Sequence, residues 1–337
     1  MARMMLREAI AKTIDEEMAR DKNIVIMGED IVGGNGTAGG TEAIGGIWGL
    51  TGGLYAKYGP NRVIDTPISE SCIVGAAAGA ALAGKRAIAE LMFADFVGVC
   101  LDQLYNQMAK FRYMFGGKTK CPVTVRITYG AGLNAAAQHS QAVYSMLTSI
   151  PGLKVVMPTT PADAKGLLTT AIRGDDPVMF FEHKTLYGVK GDVPEGEYLL
   201  PFGHARMARE GKHATIVSCG QIVNFAGAAA DALAKDGITC DVIDLRTTSP
   251  LDEETILDSV ENTGHLIIAE ESPPRCGLAS DIAGLVASKA FAALKAPVEM
   301  VTPPHTPIPF ARELESAYLP SAAGIEAAVR RSLAYRN

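Results

Sequence analysis

An acid, an aromatic ring and an imidazole each follow a short apolar run in the first half of this chain. Glu70 closes "VIDTPISE", Phe96 stands in "ELMFADF" and His139 in "AAAQHSQ". Pro67 breaks the run ahead of Glu70, and "SCIVGAAAGAALAG" follows it. An acid at the lip of so apolar a segment has two uses. Ser69 can cap a helix that starts near residue 70, and a carboxylate in the first turn suits the helix dipole. The same acid also follows a strand, at the carboxyl edge where parallel α/β sheets bind ligands. Low polarity disfavours a charged carboxylate, which suits proton exchange with a heterocyclic ring nitrogen. His139 follows a strand and the "YGAGLN" turn, and the pattern puts it at the start of a helix. An imidazole at a cleft edge serves acid–base or hydrogen-bonding chemistry; a lone histidine there is also an ordinary structural residue. Phe96 reads as core or as cleft wall. All three follow strands of one domain, which can bring them to one cleft.

The elements that must position them alternate along the chain. Leu6, Ile10, Ile14 and Met18 recur every four residues, which predicts an amphipathic helix over 4–20. The runs "NIVIMG", "RVID", "RAIAEL", "PVTVRI", "LKVVMP" and "PVMFFE" are separated by helical stretches, the mark of a parallel sheet buried on both faces. The fold class is therefore α/β and doubly wound. "YGVKGDVPEGEYLLPFG" breaks the rhythm, and a second alternation follows: "ATIVSC", "CDVIDL", "HLIIAEE" and "PVEMVT", with helices over about 221–235, 252–261 and 278–294. "PPHTPIPF" is too rich in proline for helix or central strand. The division read from these shifts is a first domain over 1–190, a linker over 191–203 and a second α/β domain over 204–337.

Composition removes several classes. At 337 residues, 48% hydrophobic and 20% charged, the chain is an ordinary two-domain globular protein. A net charge of −6 with interspersed signs offers no nucleic-acid face. Cys72, Cys100, Cys121, Cys219, Cys240 and Cys276 are scattered without a CxxC pair, which favours reduced thiols in a cytoplasmic protein. "MARMMLREAIAKTIDEEMARD" has no apolar signal core, and "IVGAAAGAALAG" is too short to span a bilayer. Gly34, Gly36 and Gly39 spell G-x-G-x-x-G after "IVIMGED", yet glycines continue through Gly45, Gly46, Gly49, Gly52 and Gly53. No helix can open there to meet a pyrophosphate, so the stretch reads as a loop and not as a dinucleotide site.

Taken in order, "GLYAKYGPNRVIDTPISE", "ELMFADF" with "LDQLYNQMAKFRYMFGG", "AAAQHSQ", "IPGLKVVMPTTPADAKGLL", "DLRTTSPLD" and "EMVTPPHTPIPF" resemble the β subunits of the thiamine diphosphate-dependent component of 2-oxo acid dehydrogenase complexes. The likeness runs over nearly the whole chain. Within that family "KFRYMFGG", "FFEHKTLYGVKGDVPEGEY" and "PRCGLASDIAGLVASKAFAALKAP" are most similar to the acetoin-cleaving branch. The resemblance implies a pyrimidine-binding first domain and a second domain of the transketolase C-terminal type, used for assembly. It implies that Glu70 contacts the pyrimidine nitrogen of thiamine diphosphate and relays protons. Phe96, Ile68 and Met92 match positions packed near that ring, and His139 matches the histidine that faces substrate and the incoming lipoyl group.

The resemblance also implies a potassium ion held by backbone near Val123, Ala171, Ile172, Gly174 and Asp176. Gly174 and Asp176 stand where aspartate and asparagine are common in the family, which puts that ion in question. The Gly-Asp-Gly segment by which such enzymes hold diphosphate and magnesium is not in this sequence. An α subunit is expected to bring it, in an α2β2 heterotetramer that passes an acetyl unit from acetoin to the lipoyl group of a dihydrolipoyl acetyltransferase core. A pyruvate or branched-chain 2-oxo acid dehydrogenase subunit is the alternative within the family; outside it stand a non-catalytic scaffold and a nicotinamide dehydrogenase.

Overall fold

The computed structural model describes residues 1–33 and 45–336, so Gly34, Gly36 and Gly39 of the glycine motif lie outside the described residues. The chain groups into two compact units: residues 1–129 with 147–202, and residues 130–146 with 203–337.

The first unit begins with β1 (Ala2–Met5), α1 (Leu6–Arg20) and β2 (Ile24–Glu29). Leu6, Ile10, Ile14 and Met18, the four-residue repeat of the sequence, are all fully buried along one face of α1. Gly45, Gly46, Gly49 and Gly53 all adopt φ between 71° and 80°, and helix α2 (Leu54–Tyr58) follows them. There follow β3 (Val63–Thr66), α3 (Glu70–Leu82), β4 (Arg86–Leu91), a 3-10 turn (Ala94–Gly98), a π-helical turn (Gln103–Met108), α4 (Phe111–Met114) and β5 (Val123–Tyr129). After α5 (Tyr144–Thr148), through which the division passes, come β6 (Lys154–Val156), α6 (Pro161–Arg173), β7 (Val178–His183) and β8 (Lys190–Val193). The start of α6 is fixed by Thr160, whose side chain accepts from the Asp163 amide, and by Pro161 in the first turn.

Strands β6, β7, β5, β4, β2 and β3 lie side by side in that order, all parallel. Ile24, Ile26, Ile88, Val178 and Phe180 share one core with the buried stripes of α1 and α6. The alternate residues Val25, Met27, Ala89, Val125, Ile127 and Phe181 are buried too, so both faces of the sheet are covered. This is the doubly wound arrangement that the apolar runs predict. β1 pairs antiparallel with β8, so the first residues of the expected linker are strand, and Pro194 to Phe202 stay with the first unit.

The second unit contains β9 (Arg206–Arg209), β10 (Ala214–Ser218), α7 (Ile222–Ala234), β11 (Cys240–Asp244), β12 (Thr247–Ser249), α8 (Glu253–Thr263), β13 (Leu266–Ala269), α9 (Leu278–Lys289), β14 (Glu299–Val301), α10 (Arg312–Tyr318) and α11 (Ala322–Ala334). Its sheet runs β14, β13, β10, β11, β9, parallel except for β9. Ile216, Val242 and Ile267 pack with Ala226, Leu233, Ile325 and Val329. No helix among the described residues is long and apolar enough to cross a membrane. The six cysteines are free.

Candidate active site

Pro67 cannot donate to a strand ladder, and β3 ends one residue before it. Helix α3 then opens at Glu70. Ser69 makes no side-chain cap bond there, so the capping role expected of it is not played; only the acid's favourable place at the helix N-terminus remains. Glu70 is half-buried, less enclosed than the apolar run after it implies, because α3 turns Ile73, Val74, Ala77 and Ala81 inward. Ser71 Oγ donates to the Val99 carbonyl at 2.6 Å, which ties the start of α3 to the 3-10 turn that carries Phe96. Phe96 is half-buried and meets Phe93 edge to face at 5.8 Å between centroids.

Charge places Glu70 in this neighbourhood as well. Burial pushes the Cys100 thiol up to about 12, and the charge of Glu70 adds to that; Cys100 Sγ itself lies 3.8 Å from the Phe96 carbonyl. Burial also raises the carboxyl of Glu29 at the end of β2, with Asp30, Glu70 and Asp65 contributing in that order. Met92 is half-buried, and Ile68 is 78% exposed. An acid at the start of α3, tied to the turn that carries half-buried Phe96, fits an aminopyrimidine: a carboxylate can take ring-nitrogen chemistry and an aromatic side chain the ring face.

His139 is placed differently from the expectation. Helix α5 opens only at Tyr144, so His139 sits in an exposed turn and not at a helix start. Its segment, Gly130–Met146, groups with the second unit, whereas Glu70, Ile68, Met92 and Phe96 belong to the first. The structure therefore brings Glu70 and Phe96 together, and His139 belongs to a separate unit.

The potassium positions are engaged from within the chain. Arg86 donates to the carbonyls of Gly174 at 2.6 Å and Ile172 at 3.3 Å, and the Ala171 carbonyl accepts from the Gly174 amide. Val123 lies in β5, paired with Ala87. Asp175 pairs with Arg86 and Lys120, and Asp176 with Arg112 and Lys154. Four cationic side chains thus surround two carboxylates, and two of the carbonyls already face a guanidinium. This donor set does not fit a further monovalent cation. Exchanging potassium for sodium at fixed ionic strength should leave the thermal midpoint unchanged; a potassium-specific rise would show that the ion displaces the guanidinium. Among the described residues no group of three or more His, Cys, Asp and Glu side chains could hold a metal.

One cluster escaped the sequence reading. Arg126 on β5 makes a bidentate pair with Glu182 on β7, at 2.7 Å for both bonds, and reaches Glu90 on β4 at 2.6 Å. Tyr187 donates to Glu182 at 2.7 Å. Arg126 stands at 2% exposure and Glu182 at 1%, with Glu90 buried beside them. Burial raises the Glu90 carboxyl most; Arg126 opposes that and the charge of Glu182 adds to it. A Cβ on Gly46 would lie 3.0 Å from Glu90, so the end of the glycine stretch rests on this cluster. The signal was a charge in each of "RAIAEL", "VTVRI" and "MFFE"; a charge inside a strand buried on both faces has to be paired.

Residues 2–190 match the family of transketolase pyrimidine-binding domains, and residues 203–325 the transketolase C-terminal domain. The chain is 58% identical to the β subunit of acetoin:2,6-dichlorophenolindophenol oxidoreductase from Cupriavidus necator, over 98% of each chain. It is 52% identical to the subunit of the same name from Bacillus subtilis, over 95% of each. The β subunit of 2-oxoisovalerate dehydrogenase from Bacillus subtilis is 41% identical over 98% of each. Among solved structures, a split-gene transketolase described as an inactive β4 tetramer superposes with a TM-score of 0.78 at 25% identity, covering 99% of both chains.

Proposed function

This chain belongs to the β-subunit family of the thiamine diphosphate-dependent acetoin and 2-oxo acid dehydrogenases, and from that premise we propose that it is the β subunit of an acetoin-cleaving enzyme. The observation that carries the choice of substrate is the drop in identity from the acetoin oxidoreductase subunits to the 2-oxo acid dehydrogenase subunits. In this reading the enzyme releases acetaldehyde and passes the acetyl unit to a lipoyl group. Thiamine diphosphate, when bound, would supply a nucleophilic carbon for the substrate carbonyl. Glu70 exchanges a proton with the pyrimidine nitrogen, and Phe96, Met92 and Ile68 hold the ring by apolar contact. His139 faces the substrate and the incoming lipoyl group. Potassium has no part in this reading.

β subunits of this family work with an α subunit. We assign to that partner the diphosphate and magnesium, in an α2β2 heterotetramer, and to the second unit of this chain the docking of the acetyltransferase core. The complex is placed in the cytoplasm. The test is calorimetric. The purified chain should bind thiamine diphosphate with magnesium weakly or not at all, and binding should return when the α subunit is added. Tight, magnesium-dependent binding to the chain alone would overturn the division of labour.

A further inference from the structure

Three buried carboxylates of the second unit hold the segment that carries His139. Glu271 accepts from the Ala131 amide at 2.5 Å. Glu315, on α10, accepts from the amides of Gly132 and Asn134, both at 2.9 Å, and from Asn134 Nδ2 at 3.1 Å. Glu270 accepts from the Tyr144 hydroxyl at 3.1 Å, from Ser272 Oγ and from the Ala279 amide. Their exposures are 5% for Glu271, 3% for Glu315 and 1% for Glu270, so each carboxylate has left water to make these bonds.

The contacts fall at the two ends of the segment. Glu271 and Glu315 hold residues 131 to 134, Glu270 holds Tyr144, and His139 lies between them. The backbone here needs such support. Asn134 and Ala136 adopt φ of +54° and +60°, the left-handed region that L side chains enter at a cost. A carboxylate accepting two nearby amides makes charge-assisted bonds, which are the strong ones. Beside them Ala131 packs with Ile308, Tyr318 and Leu319.

We propose that Glu271, Glu315 and Glu270 are positioning residues, which fix both ends of Gly130–Met146 so that its exposed turn presents His139 to the lipoyl group. The proposal rests on the reading of His139 as the residue facing that group. It gives the second unit a part in the acyl-transfer step in addition to assembly.

The experiment uses Glu315→Gln in the reconstituted heteromer with bound thiamine diphosphate. The amide sets an N–H2 group where an acceptor stood, so the three donors from Gly132 and Asn134 can no longer all be met. Three readouts are taken together: hydrogen exchange of peptides spanning 130–140, turnover with a lipoylated domain, and dye-coupled acetoin turnover. Exchange in that segment should quicken by about tenfold or more. Lipoyl-dependent turnover should fall by about tenfold, while the dye assay stays within about twofold. In a His139→Ala background Glu315→Gln should have no further effect on lipoyl turnover, because the two act through one element. Unchanged exchange in 130–140 would overturn the positioning role alone. Equal losses in both assays, or the same loss in the His139→Ala background, would show a general lesion and overturn it as well. If His139→Ala leaves lipoyl turnover intact, the role of that histidine falls, and with it the presentation claim. Should Glu315→Gln fail to fold, Asn134→Ala removes one of the three bonds, that of Asn134 Nδ2, from the segment's side while both backbone amides stay bonded; its smaller changes are read in the same directions.

Discussion

Glu70→Gln in the reconstituted heteromer is expected to lower acetoin turnover by about 10²–10⁴-fold while the thermal midpoint holds, the range that one positioned acid–base group contributes. Gln matches Glu in size and still hydrogen-bonds a ring nitrogen, so the packing of Ile73, Val74 and Ala77 beneath it survives. It cannot take up and release the proton. The competing structural role is small. Ser69 makes no cap bond, and what remains is a carboxylate at the first turn of α3, worth about 0.3–1 kcal/mol. That role predicts a slightly lower midpoint and an unchanged rate. Midpoint and dye reduction measured together, with thiamine diphosphate saturating, separate the two. Early melting with normal turnover would remove Glu70 from the chemistry, and a scaffold subunit would then be the better reading.

Much of this was legible in the chain because it is encoded locally. The four-residue repeat of Leu6, Ile10, Ile14 and Met18 fixed α1 and the face it buries. The aliphatic runs fixed both parallel sheets, since a strand covered on two sides has no polar alternate. Glu70 and Phe96 are legible as a pair because each follows a strand of one parallel sheet, β3 and β4, at its carboxyl end. What is not legible there is tertiary. Gly130–Met146 was read with the first domain because it follows β5, and nothing local announces that Glu271 and Glu315, far along the chain, hold it. The pattern puts His139 at the start of a helix, but α5 opens only at Tyr144. The potassium positions were carried over by backbone alone, and a backbone reading cannot see a guanidinium arriving from Arg86. The cluster on Arg126 was missed for the same reason: its three members sit on three strands, and single charges in apolar runs do not name their partners.

That cluster carries the largest stability effect expected in the molecule. Arg126→Met should destabilise the first unit by about 3–5 kcal/mol, because Glu90 and Glu182 would keep their burial and lose the cation between them. Size is not the cause, since Met fills much of the same volume without a charge. The pH dependence gives the mechanism away. Burial already holds the Glu90 carboxyl above its ordinary range, and removing Arg126 takes away the charge that opposes this. An acid raised in the folded state stabilises below its unfolded value and loses that contribution as pH rises through its folded value. The deficit of the variant should therefore shrink as pH is lowered from about 8 toward about 5, where protonation relieves the buried charges. Replacing all three charges together by apolar residues, Arg126→Met with Glu90→Leu and Glu182→Leu, should recover most of the loss, as it does when a whole buried ion cluster is exchanged for hydrophobic groups of similar volume. Denaturant melts at both pH values measure this directly. A single Arg126→Met that costs less than about 1 kcal/mol at pH 8, the range of an exposed pair, would mean that water reaches the cluster and that the sheet is not sealed where the glycine stretch rests on Glu90.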